Sequence, residues 1–178
     1  MKENIYERIR GKEYCKNNLI FEGEYLYNRK FEGKGYDNEG NVIYELKKGN
    51  GKIEEYDNTG DIRFEGEYLN GKKNGKGKEY YEGGQLKFEG EYLNGKRNGK
   101  GIEYYENGKL KFDGEYLNGE RNGKCKYYNN NDQLIFEGEY LNGKINGKGK
   151  EYDYGDKLKF EGEYFNGQRN GIDRKSVV

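Results

Sequence analysis

The segment Phe-Glu-Gly-Glu-Tyr, or a close variant, recurs at even intervals at Phe64, Phe88, Phe112, Phe136 and Phe160, with a cousin at Phe21. A period of this size marks a stacked repeat array. An array that shows the same few side chains in every unit builds a surface. It lacks the unlike residues that a catalytic site brings together.

Composition sharpens this. The 178-residue chain is 31% hydrophobic, and its 20 Tyr and 8 Phe make up about half of that. With so few aliphatic residues no thick core can form, yet strict periodicity and many aromatics argue against disorder. A thin sheet carrying aromatic rows is the expected solution. Lys+Arg and Asp+Glu are both 33, which removes the positive field that nucleic-acid binding needs. Cys15 and Cys125 stand far apart in the array and read as free thiols, which suit a reducing, cytoplasmic setting. The N-terminal stretch lacks an apolar signal segment, and no run of residues is long enough to span a bilayer as a helix.

Within the unit opening at Phe88, two segments of alternating residues read as strands. Asn107-Gly108 predicts a type I′ hairpin turn, and Gly95–Asn98 a four-residue hairpin loop. Pairing Asn94 with Gly99 sets Tyr92 beside Gly101, Gly90 beside Glu103 and Phe88 beside Tyr105. Pairing Glu106 with Lys109 sets Glu103 beside Phe112 and Gly101 beside Gly114. Both turns send the same residues to the same face, as a period of two requires.

One face then carries Phe, Tyr and the mid-strand glycines, with Tyr rings over Gly backbones. The other interlocks charges: Lys78 between Glu67 and Glu89, Lys126 between Glu115 and Glu137, Lys150 between Glu139 and Glu161. The expected fold is all-β, an elongated single-layer antiparallel sheet of stacked β-hairpins. It should hold about 15 strands and run about 70 Å before twist, at about 4.8 Å per strand. Residues 1–20 read as an N-terminal half-repeat or cap and 21–171 as the array, with a shortened unit at Tyr44–Arg63. Residues 172–178 read as a tail.

Glu-Gly-Glu-Tyr followed by Asn-Gly-Lys-Arg-Asn-Gly-Lys-Gly, as in Glu89–Gly101, resembles the MORN repeat (membrane occupation and recognition nexus). The resemblance runs from Phe21 to Gly171, and Tyr104–Lys111 looks like the longer bacterial and protist variant. Tyr stands where the common motif often has Trp, and the unit is slightly longer than the common one. The resemblance implies twisted single-layer sheets acting as scaffolds or interaction modules, some of them self-associating, with lipid binding also proposed and some members described as antitoxin-like.

Candidate protein-binding residues are the aromatic row Tyr68, Tyr92, Tyr116, Tyr140 and Tyr164, flanked by Tyr81 and Tyr105. Tyr is favoured at interfaces. The plainer reading of each ring is that it covers the glycine strip, while the face as a whole reads as a binding surface. Lys72, Lys73, Lys96, Arg97, Arg121, Lys144 and Arg169 form a row of basic loop tips that could meet phosphates or lipid head groups. The plainer reading there is a solubilising edge. Enzymatic chemistry has no foothold, with no His and with Ser only at Ser176. No metal or cofactor is expected, and Cys125 occupies a slot that holds Gly in other units. The sequence thus points to a non-enzymatic scaffold with a protein partner and open sheet edges suited to homotypic pairing. An anionic-membrane adaptor or an immunity-type binder of one enzyme is the alternative.

Overall fold

A computed structural model describes residues 7–170. The first six residues and residues 171–178, the tail among them, lie outside the described residues. Fifteen strands and no helix occur among the described residues. Strands adjacent in sequence are neighbours in each sheet, all pairs are antiparallel, and no strand order closes into a barrel.

The chain divides into two compact units. The first, Met1–Gly84 with Tyr92–Gly95, contains β1 (Ile9–Cys15), β2 (Asn18–Leu26), β3 (Arg29–Tyr36), β4 (Val42–Leu46), β5 (Gly51–Tyr56), β6 (Ile62–Leu69) and β7 (Lys72–Tyr80). The second, Gln85–Glu91 with Lys96–Val178, contains β9 (Lys96–Tyr104), β10 (Leu110–Leu117), β11 (Glu120–Tyr128), β12 (Leu134–Leu141), β13 (Lys144–Tyr152), β14 (Leu158–Phe165) and β15 (Gln168–Asn170). Strand β8 (Leu86–Leu93) gives residues to both.

The two turns of each repeat exchange the characters expected of them. In the second unit Asn118 (φ 53°) and Gly119 (φ 96°) both take positive φ and close Leu117 onto Glu120. That is a two-residue type I′ turn, where a four-residue loop was expected. At Asn107-Gly108 only Gly108 is left-handed (φ 80°). Its N–H donates to Tyr105 O at 2.9 Å, and Tyr105 N–H donates to Lys109 O at 2.8 Å. This is a three-residue loop ending in a glycine bulge, not type I′.

The tighter tip moves the hairpin register by four residues at Tyr116 and, across a bulge between Gly114 and Tyr116, by two at Phe112 and Gly114. Gly114 pairs with Cys125 and Phe112 with Tyr127, where the expected register gives Gly114 opposite Tyr127. An even shift leaves every side chain on its face, so the assignment of faces survives. Ion partners change accordingly. Lys78 pairs with Glu65 at 3.2 Å, not Glu67. Lys126 lies opposite Asp113 and Glu137, not Glu115. Lys150 reaches Glu137 (3.7 Å) and Glu161 (3.9 Å), not Glu139.

The Asn-Gly-Lys-x-Asn-Gly phrase joins neighbouring hairpins. In the second unit Gly119 N–H donates to Arg97 O (2.8 Å) and Gly143 N–H to Arg121 O (2.9 Å). Alongside, Asn118 N–H donates to Asn98 Oδ1 (3.3 Å) and Asn142 N–H to Asn122 Oδ1 (3.2 Å). The first Asn-Gly is therefore the tip, and the second Asn is the acceptor for the tip of the next repeat.

Phe rings press most closely on most mid-strand glycines, with Tyr rings beside them: Tyr44 covers Gly35, Tyr25 covers Gly11, and Tyr116 shares Gly101 with Phe88. Phe112, Phe88 and Phe64 are at most 1% exposed. A Cβ on Gly101 would meet Phe88 at 2.5 Å, and one on Gly138 would meet Phe136 at 2.6 Å. In the second unit Tyr116, Tyr140 and Tyr164 each stand edge-on between two Phe rings: Tyr116 is 5.3 Å from Phe88 and 5.6 Å from Phe112. In the first unit β4 and β5 lie in separate sheets, joined by one bridge between Lys47 and Asn50, and their Leu46 and Ile53 take the place of glycine and pack with Phe21 and Tyr44 into a small hydrophobic cluster.

Candidate interaction surface

In every repeat but the one at Phe136, where Tyr127 and Ile145 stand in place of the Glu and the cation, three side chains gather above one Phe. Over Phe112 stands the Arg121 guanidinium, 4.1 Å from the ring centre. It donates through Nε (3.2 Å) and Nη2 (2.7 Å) to Glu103, which also accepts from Tyr116 Oη at 2.5 Å. Position 103 lies beside Phe112 because β9 and β10 pair Glu103 with Phe112. Position 121 arrives from the other strand of the hairpin, opposite Tyr116.

The same set recurs. Lys30 lies over Phe21 (4.6 Å) and bonds Glu13 (2.8 Å), to which Tyr25 Oη donates at 2.8 Å. Lys73 lies over Phe64 (3.7 Å) and pairs with Glu55 (3.1 Å), the acceptor for Tyr68. Tyr92 donates to Glu79 (2.6 Å), and Arg97 lies 3.9 Å over Phe88. Arg169 lies 4.4 Å over Phe160 and bonds Glu151, which accepts from Tyr164 at 2.6 Å. Cation–π contact and charge-assisted bonding favour one geometry.

This changes the picture of the aromatic face. The rings are not an open apolar patch. Tyr92, Tyr116 and Tyr164 are buried, Tyr68 and Tyr140 half-buried, and ion pairs roof the Phe rings. Ions therefore occupy the aromatic face as well as its opposite. The basic row divides too. Lys73, Arg97, Arg121 and Arg169 belong to the roof, whereas Lys96 and Lys144 are exposed at the tips and Lys72 is half-buried there. Tyr105 is half-buried and donates to Tyr128 O at 2.8 Å. Tyr81 is half-buried at the start of the opposite turn, its carbonyl accepting from Gly84 N–H at 3.1 Å.

Electrostatics follow from this packing. Burial pushes the Glu103 carboxyl up, but its bonds from Arg121 and Tyr116 and the charges of Arg121 and Arg97 outweigh it and hold the group below its ordinary range. Burial and the bond to Glu103 raise Tyr116. Burial raises the Cys125 thiol to about 12, which leaves it inert as a nucleophile. On the ionic face, the second unit has an open groove of about 1730 Å³. Glycines 114, 138, 149 and 162 line it, among lysines and carboxylates that alternate from strand to strand. Each strand's charge is opposed by the next. Among the described residues no His/Cys/Asp/Glu group is arranged to hold a metal ion, and no helix is long and apolar enough to cross a membrane.

Sequence reading missed the roof. Its signal was present: Glu and Lys or Arg recur at one fixed separation in one repeat after another, at Glu55 and Lys73, Glu79 and Arg97, Glu103 and Arg121, Glu151 and Arg169.

Stacked hairpins carrying one repeated constellation define an all-β repeat protein. The MORN repeat model matches residues 64–85, 88–109, 112–133, 136–154 and 160–172, more than half of the chain. The chain belongs to the MORN-repeat family. MORN repeats are in general non-enzymatic modules of protein and membrane interaction. No curated protein matches the chain.

Proposed function

We propose that this chain is a non-enzymatic scaffold that binds a protein partner through the roofed aromatic face and the open sheet edges. The observation that carries this reading is repetition. The Phe–Tyr–Glu–cation set is built over and over, and each member is spent on holding the next hairpin in register. What remains for function is an ordered surface on each unit. Buried free thiols at Cys15 and Cys125 suit a reducing compartment, and we assign the chain to the cytoplasm on that ground.

Lipid binding is the second reading, because Lys96 and Lys144 stay exposed at the tips. It is weakened by the loss of Lys73, Arg97, Arg121 and Arg169 to internal carboxylates, since screened tip charges this sparse give little membrane attraction. The test is a comparison of two assays on the same protein. Cross-linking capture from its native cell, read by mass spectrometry, should recover one protein in stoichiometric yield. Flotation with anionic vesicles at physiological salt should recover none of the chain. Salt-sensitive flotation without a captured protein would overturn the scaffold reading in favour of the membrane one.

A further inference from the structure

Two strands, β1 and β14, each lack a neighbour that the other could supply. In β1 the run Gly11-Lys12-Glu13-Tyr14 repeats Gly149-Lys150-Glu151-Tyr152 of β13 residue for residue. It pairs with β2 as β13 pairs with β14, setting Gly11 opposite Gly23, Lys12 opposite Glu22 and Glu13 opposite Phe21. On its other edge β13 has β12, with Phe136 opposite Glu151, Glu137 opposite Lys150 and Gly138 opposite Gly149. Among the described residues no strand holds that place beside β1.

The missing neighbour leaves a specific deficit. A Cβ on Gly149 would meet Phe136 at 2.7 Å and Tyr164 at 3.0 Å. One on Gly11 would meet Tyr25 at 3.0 Å and, of the described residues, no Phe ring nearer than 3.9 Å. Lys150 lies between two carboxylates, Glu137 (3.7 Å) and Glu161 (3.9 Å), whereas Lys12 has Glu22 (3.2 Å) on one side.

The converse holds at β14, whose Phe160-Glu161-Gly162 repeats Phe136-Glu137-Gly138 of β12. Of its outer edge β15 pairs with Glu163, Tyr164 and Phe165. A Cβ on Gly138 would meet Lys148 O of the following strand at 2.7 Å, while the three atoms nearest to one on Gly162 all belong to Phe160. The sequence after β15 reads Gly171-Ile172-Asp173-Arg174 where the preceding repeat has Gly147-Lys148-Gly149-Lys150. The glycine slot thus falls to an aspartate, and a carboxylate against a Phe ring would be desolvated without a partner.

We propose that β1 of one copy adds to β14 of another, head to tail, with Glu13 opposite Phe160, Lys12 opposite Glu161 and Gly11 opposite Gly162. The proposal rests on the scaffold reading and names the partner of its open edges, a second copy of this chain. What each edge lacks fixes the occupant. Phe160 supplies the ring absent over Gly11, and Glu161 the second carboxylate for Lys12. In return Gly11 lets the backbones close up at Gly162, and main-chain bonds of an added strand do the rest. Pairing of β1 with itself is disfavoured, because antiparallel registers centred on Arg10, Gly11 or Lys12 set like charges opposite each other.

The test traps the joint. In a cysteine-free parent (Cys15→Ser, Cys125→Gly), Lys12→Cys is made in one chain and Glu161→Cys in a second, size-tagged chain. Directly opposite positions lie about 5 Å apart, within reach of a short bismaleimide. Mixed chains are expected to yield the unlike dimer at least about tenfold over either like dimer, because a head-to-tail joint brings unlike positions together. Sedimentation of the unsubstituted chain should show mass rising with concentration, which decides the question even if a variant misfolds. Like dimers through Lys12→Cys in equal or greater yield would reveal a symmetric joint and overturn the proposal. A chain that stays monomeric at every concentration would overturn it too. The scaffold reading survives either result if capture in the cell still recovers an unlike protein, and falls with the proposal if it does not.

Discussion

Arg121 grips Glu103 with two hydrogen bonds, 3.2 and 2.7 Å, across a strand boundary and above the Phe112 ring. The pair links two hairpins through side chains alone. Arg121→Ala should therefore destabilise the second unit by about 2–3 kcal/mol, because it strands a half-buried carboxylate and uncovers an aromatic ring. Glu103→Tyr with Arg121→Ile copies the Tyr127 and Ile145 combination and should recover most of that loss. A double-mutant cycle read by urea denaturation measures the coupling.

Stability should fall in acid for a reason that can be traced to named groups. Glu65, Glu103 and Glu151 are held below the ordinary glutamate value of 4.5. The bond from Tyr80 leads at Glu65 and that from Arg169 at Glu151. At Glu103 the Arg121 and Tyr116 bonds overcome burial. A carboxylate with a depressed folded pKa contributes stability that is complete above the unfolded value and is lost as pH falls through the folded one. Thermal melts from neutral pH downward should stay level to near 4.5 and then decline, and Glu103→Gln should flatten part of that decline.

At the alkaline end the sign reverses. Burial, aided by bonds to Glu89 and Glu137, raises Tyr104 and Tyr152 to about 12. Their stabilisation is complete below the ordinary phenol value of 10 and disappears as pH climbs towards 12. Tyrosinate absorbance and strand circular dichroism should therefore change together over that interval. Ionisation of Tyr104 and Tyr152 with the sheet intact would contradict this.

The glycine strip is tight at Gly101 and Gly138, where a Phe ring lies against the backbone. Gly101→Ala and Gly138→Ala place a methyl against Phe88 and Phe136, and each should cost about 1–3 kcal/mol. Cys125, in the equivalent slot, is buried, and its thiol is raised to about 12 by that burial. It should resist a maleimide at neutral pH in the folded protein and react once denatured.

The hairpin tips supply a separate test. Asn122→Ala removes the acceptor for Asn142 N–H while leaving the Gly143 to Arg121 backbone bond in place. A loss of about 1 kcal/mol is expected, with faster amide exchange at Asn142 and little change at Asn118.

The repeat period, the strand character of each segment and the division of side chains between two faces follow from sequence alone, because alternation and turn residues are local properties. The period also identifies the family. Which turn is tight is decided by strand twist and by hydrogen bonds to the neighbouring hairpin, as Gly119 and Gly143 show, and a single unit read in isolation contains neither. An even shift preserves every face and so leaves no trace in the hydrophobic pattern. Yet that shift is what carries Arg121 from the tip to a place over Phe112, beside a glutamate of the preceding hairpin. The roof, and the gap in it at Tyr127 and Ile145, exist only once adjacent hairpins are stacked.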